Sequence, residues 1–187
     1  MELILGDIVH MNTDAIVCPT HSDLGPAPGL RDAIFRAADG EKLRLACRQL
    51  GRCPIGKAVV TPSCGLNCRY LIHVAGPGWY RGSKADRHLF STCYQQALHR
   101  AWACHCRSIA LPLMFSGGYH LPRAEALVLV CRTVLEFERS HPGLEIRLVL
   151  YKPGIYELAE KIYAGVRDGT IRAEEHPLAR AGRKPKR

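Results

Sequence analysis

Ala15-Ile16-Val17-Cys18-Pro19-Thr20-His21 leads through Leu24-Gly25-Pro26-Ala27-Pro28-Gly29-Leu30 to Arg31, and this stretch decides the fold. Ala15 to Val17 is a short apolar run bounded by turn residues, which reads as a buried strand. A loop of small residues follows. Then Leu30 to Leu50 carries apolar side chains at helical spacing: Leu30, Ile34, Ala37 and Ala38, then Leu43, Ala46, Cys47 and Leu50. A small-residue loop on a helix N-terminus presents backbone amides and the positive end of the helix dipole, which suits a phosphate.

The same alternation continues in both directions. Leu3 to Leu5 reads as a first strand, and Lys57–Thr61 and Tyr70–Val74 as two more, joined by the turn-rich Pro62 to Asn67. A long helix is expected from about Asp86 to Cys104, a strand over Ser108–Leu113 and a helix over Arg123–Arg139 behind Pro122. Leu144–Tyr151 reads as the last strand and Ile155–Tyr163 as the last helix. Helices interleaved with continuous apolar strands predict a three-layer α/β/α domain around a mixed, largely parallel sheet of about six strands. Ligands of such sheets bind at the carboxyl ends of the strands. Phe115-Ser116-Gly117-Gly118-Tyr119 is a second loop of this kind, whose glycines let the backbone approach a ligand.

At 187 residues the chain fits one domain, expected over 1–166, with a basic extension over 167–187. The formal charge is +9, and from Arg167 onward seven basic residues face three acidic ones. That end suits weak contact with a polyanion such as nucleic acid rather than sequence reading. No apolar run approaches the roughly 18 residues of a membrane span, and Met1–Gly6 is too short and too acidic for a signal peptide. The expected location is the cytoplasm, or the nucleus where the source has one, with no membrane partner. The nine cysteines are odd in number and scattered, which favours reduced thiols over a disulfide framework. Cys104-His105-Cys106, with Cys64 and Cys68 upstream, lacks the paired spacing of structural zinc. No metal and no cofactor are expected.

Several words of this sequence, in order, resemble the macrodomain family. They are Gly6-Asp7-Ile8, Asp14-Ala15-Ile16-Val17, Ala33–Ala38, Cys53–Ala58, Ile72–Pro77, Ser108–Pro112 and Ser116–Tyr119 with Pro122, covering about residues 2–165. The nearest branch holds the O-acetyl-ADP-ribose deacetylases and mono-ADP-ribose hydrolases. The resemblance implies that ADP-ribose, free or on a protein, is the ligand. It implies that Asp7 accepts from the adenine amine, as an ionised carboxylate can only accept, with Ile8 beside it and Tyr151 against the ring. Gly29 and Leu30, with Ser116, Gly117, Gly118 and Tyr119, would clamp the diphosphate. His73, inside an apolar strand, reads as a core histidine.

The pattern breaks where this branch does its chemistry. Relatives carry Asn-Ala-Ala-Asn where this chain has Cys18-Pro19-Thr20-His21, so His21 stands at the asparagine that orients the distal ribose. Arg31 stands at the catalytic aspartate, and Asp32 sits about 100° further round the helix. A guanidinium stays protonated and suits a phosphate or carboxylate, not proton abstraction. An imidazole can serve as a general base at physiological pH, so His21 is a candidate base and His120 a second. Pro26 and Pro28 lack N–H groups, leaving Gly25, Ala27, Gly29 and Leu30 as the first loop's amide donors. The sequence thus points to an ADP-ribose reader with weak or no hydrolase activity. It leaves open a hydrolase or deacetylase with a non-standard site, and a module that binds a polyanion, RNA or poly(ADP-ribose), through its basic surface and tail.

Overall fold

The computed structural model describes residues 1–77, 83–116 and 121–171. Gly117, Gly118, Tyr119 and His120 of the second loop, and the basic end from residue 172, lie outside the described residues. Six strands form one sheet in the order β1-β6-β5-β2-β4-β3. They are β1 (Glu2–Leu5), β2 (Ala15–Thr20), β3 (Ala58–Pro62), β4 (Tyr70–Ala75), β5 (Ser108–Pro112) and β6 (Glu145–Leu150). Every pairing is parallel except β3 with β4, the hairpin across the turn-rich Pro62–Asn67. The expected α/β/α architecture is the one observed.

Strand side chains alternate between two cores, as the period of two requires. Ala15, Val17, Ile72, Val74, Ile109 and Leu111 face one layer, built by α3 (Lys84–Ala103), α4 (Arg123–Ser140) and α5 (Pro153–Arg167). Ile16, Cys18, Leu71, Ala110 and Val149 face the other, built by α1 (Leu30–Ala37) and α2 (Gly40–Leu50). Burial on both faces explains why these strands read as unbroken apolar runs. All nine cysteines are free thiols, and Cys18, Cys47, Cys53, Cys93, Cys106 and Cys131 among them are buried.

The single helical stretch expected over Leu30–Leu50 is two helices. Ala38 is extended (φ −82°, ψ 172°), and Asp39 caps α2 by accepting from the Lys42 amide at 3.1 Å. Gly40 is needed there: a Cβ would lie 2.7 Å from the Phe35 carbonyl at the end of α1. The last helix is longer than its apolar pattern, beginning with Pro153 in its first turn and ending at Arg167. Packing continues beyond residue 166, where the expected domain ends. The Ile171 amide donates to Gly165 O at 2.8 Å, and Arg132 donates to Ile171 O at 2.6 Å.

The second loop is anchored by a buried aromatic pair. Phe90 and Phe115 have ring centroids 5.0 Å apart, and Phe115 holds a positive φ of 67°, uncommon for a bulky residue. Its ring packs directly on Gly76, where an added Cβ would lie 2.0 Å from Phe115 Cε1. Gly76→Ala should therefore displace Phe115 and cost about 1–3 kcal/mol as overpacking does, read as a lower midpoint in thermal or urea unfolding.

Candidate functional site

Two hollows lie on either side of the first loop. The larger, about 440 Å³, sits at the carboxyl ends of β1, β6 and β5. Its wall runs from Gly6, Asp7 and Ile8 through Gly29, Leu30 and Ala33 to Pro112, Leu113 and Ser116, and is closed by Val149–Lys152 and Ile155. This is the position that parallel α/β sheets give their ligands.

Asp7 does two jobs. Its Oδ1 accepts from the Val9 amide at 3.2 Å, capping the short 3-10 turn Ile8–His10, while the carboxylate lines the cleft. Ile8 is buried beneath it. Tyr151 projects at the end of β6 with 74% of its surface exposed and presents its ring at the rim. Lys152 follows as the residue before α5 and also lines the cleft. Reading the sequence missed it. A lysine beside Tyr151 at the carboxyl end of the last strand was the available signal, hidden because the helix was expected to start later.

The first loop contributes fewer amides than its sequence suggests. Gly29 precedes α1 with φ 83° and ψ −132°, a conformation that favours glycine, and makes no side-chain cap. The first-turn amides of α1 thus have no capping side chain and no intrahelical partner. Gly25 N is already spent on Asp23 Oδ1 at 2.9 Å, and Gly25 and Ala27 line the other hollow. Of the four expected donors, only Gly29 and Leu30 line the cleft. Across from them, the start of the second loop is held by Tyr94, whose hydroxyl accepts from Met114 N at 2.7 Å. Ser116 lines the cleft.

Arg31, expected at the ligand, does not line the cleft. Its side chain is 2% exposed and lies under the first loop. Nε donates to Gly25 O at 2.6 Å and Nη2 to Leu24 O, while Nη1 meets Cys18 Sγ at 3.5 Å and His73 Nδ1 at 3.4 Å. Nη2 also lies 3.9 Å from Cys47 Sγ, and the guanidinium stacks 4.4 Å from the Phe35 ring centroid. The five N–H donors of an arginine are all engaged this way. Burial pushes the Cys18 thiol up to about 11 and raises Cys47 as well, so neither thiol supplies a negative partner. The physical reason for its burial is local: two loop carbonyls, at Leu24 (φ 57°) and Gly25, point inward and need donors.

His21 is exposed just past β2, and its carbonyl accepts from Leu24 N at 3.1 Å. It is not among the residues that line the cleft. His73 is fully buried, with Nε2 2.9 Å from Thr61 Oγ1. Burial first, and the Arg31 charge second, lower its pKa from 6.5 to about 3.

An open cleft at strand ends, flanked by a helix N-terminus, defines an α/β/α ligand-binding domain. The macro domain family model matches residues 17–130, and the chain belongs to that family. It is 37% identical over 145 residues to a macro domain-containing protein of Chlorobaculum tepidum, covering 78% of this chain and 84% of that one. It is 39% identical over 141 residues to an O-acetyl-ADP-ribose deacetylase of Salmonella newport, covering 73% and 78%. Among solved structures, the Oceanobacillus iheyensis macrodomain with ADP superposes with a TM-score of 0.83 at 26% identity, covering 90% of this chain and 92% of that one.

Two outcomes are expected from the buried cluster. Arg31→Ala leaves the Leu24 and Gly25 carbonyls without their donors and should cost about 1–3 kcal/mol, measured by urea unfolding. His73 protonates in the unfolded chain below about 6.5 but resists protonation in the fold, down to about 3. Its contribution is therefore full above pH 6.5 and declines as the pH falls toward 3, by up to about 1.4 kcal/mol per pH unit. Between pH 7 and pH 5, wild type should lose about 2 kcal/mol more stability than His73→Gln.

Proposed function

We propose that the cleft binds ADP-ribose, free or attached to protein, and that the protein is a reader with weak or no hydrolase activity. The observation that carries this is one cleft combining the Asp7 carboxylate with the uncapped N-terminus of α1 at Gly29–Leu30. A carboxylate accepts from an exocyclic amine, and helix-start amides donate to a diphosphate. The Tyr151 ring and the Lys152 cation at the rim suit a base and a phosphate respectively. The 26%-identical macrodomain solved with ADP supports the ligand class.

The described part of the wall supports weak catalysis. Among the described lining residues there is no histidine, and no carboxylate besides Asp7. Arg31, at the position of the family's aspartate, is committed to the loop carbonyls instead. The rival reading, hydrolysis or deacetylation, draws on the 39%-identical deacetylase and would need His21 as base.

Calorimetric titration separates these readings. ADP-ribose should bind saturably, tighter than about 100 µM, or roughly −5.5 kcal/mol, and tighter than AMP. Asp7→Asn keeps an oxygen for the Val9 cap but turns an amide toward the adenine amine. It should weaken ADP-ribose by about tenfold or more without lowering the melting temperature. No binding by wild type would refute the proposal. Release of ADP-ribose from modified protein, or deacetylation of O-acetyl-ADP-ribose, that is abolished by His21→Ala while ligand still binds would establish the enzyme.

A further inference from the structure

The second hollow, about 380 Å³, lies on the far side of the first loop between α1 and α2. Arg31 forms part of its wall, and Arg44 and Arg48 reach it from α2. Arg44 and Arg48 are one helical turn apart on the same face, where like charges repel. Among the described residues neither forms a hydrogen bond or ion pair. Arg31 adds a buried positive charge whose partners are two carbonyls, an imidazole and two thiols, all uncharged groups. The acids on this wall are already engaged. Asp32 pairs with Arg36, and Asp23 accepts from Gly25 N. Three cations and two carboxylates thus line one cavity, and among the described residues Arg44 and Arg48 have no anionic partner. Beside them, Phe35 and Pro26 offer apolar wall. A cavity of this size admits a small organic molecule, and paired guanidinium groups bind phosphate in a fork.

We propose that this hollow is a second binding site, separate from the cleft, for a small organic phosphate held by Arg44 and Arg48 with its organic body against Phe35. The buried charge of Arg31 favours the dianion electrostatically; its own N–H groups stay on the loop. The site does not depend on what the cleft binds.

Phenyl phosphate is the probe, titrated into the full chain by calorimetry and followed by melting temperature, against sodium chloride at matched ionic strength. Saturable binding and a rise in melting temperature beyond that in chloride are expected. The double variant R44Q/R48Q should weaken phenyl phosphate by about tenfold or more, the loss of charge-assisted contacts. Its melting temperature without ligand should not fall, since both side chains are exposed and their repulsion is relieved. Its response to ADP-ribose should equal that of wild type, so failure at the cleft and failure here read out separately. A response no larger than that to chloride would overturn the proposal. So would a response that survives R44Q/R48Q, which would locate the phosphate elsewhere.

Discussion

The geometry around the cleft depends on the Arg31 guanidinium buried beneath the first loop. A buried cation without a counter-charge is costly, and this one persists because it satisfies two inward carbonyls that would otherwise be orphaned. Gly25 and Leu24 are tied down from below, which fixes the chain as it enters Gly29 and α1. Phe35 beneath the guanidinium and neutral His73 beside it complete the arrangement. Had Arg31 remained at the helix surface, those carbonyls would need other donors and the loop would lose its inner support. One residue therefore divides the region into a cleft on one side and a basic hollow on the other.

The clasp also connects fold to chemistry. Arg31, which the family resemblance sets at the position of an aspartate, serves in this fold as a donor to loop carbonyls. The ligand-facing features that remain are those suited to binding: a capping carboxylate at Asp7, an uncapped helix start at Gly29–Leu30, and an exposed ring at Tyr151. None of these needs Arg31 to point outward.

Much of the fold was legible in the sequence, because strands buried on both faces leave unbroken apolar runs and the turns between them carry Pro, Gly and Asn. The break at Ala38–Asp39 was not, since apolar spacing continues across it; Asp39-Gly40 held the capping signal, but its weight is clear only once Gly40 is seen against the Phe35 carbonyl. At the site, Asp7, Ile8, Gly29, Leu30, Ser116 and Tyr151 come together as their positions at strand ends imply. The direction of Arg31 was illegible. A helix-start arginine is ordinarily solvated, and the other groups that this one meets, Cys18, Cys47 and His73, are brought near only by the folded domain. Gly25 was misjudged for a similar reason, because an aspartate two residues earlier takes its amide.

The most direct test is a crystal structure of the complex with ADP-ribose. The account predicts the ligand across Asp7, Gly29–Leu30 and Tyr151, with Arg31 still bonded to the Leu24 and Gly25 carbonyls. An Arg31 side chain swung out onto the ligand, with those carbonyls released, would contradict it.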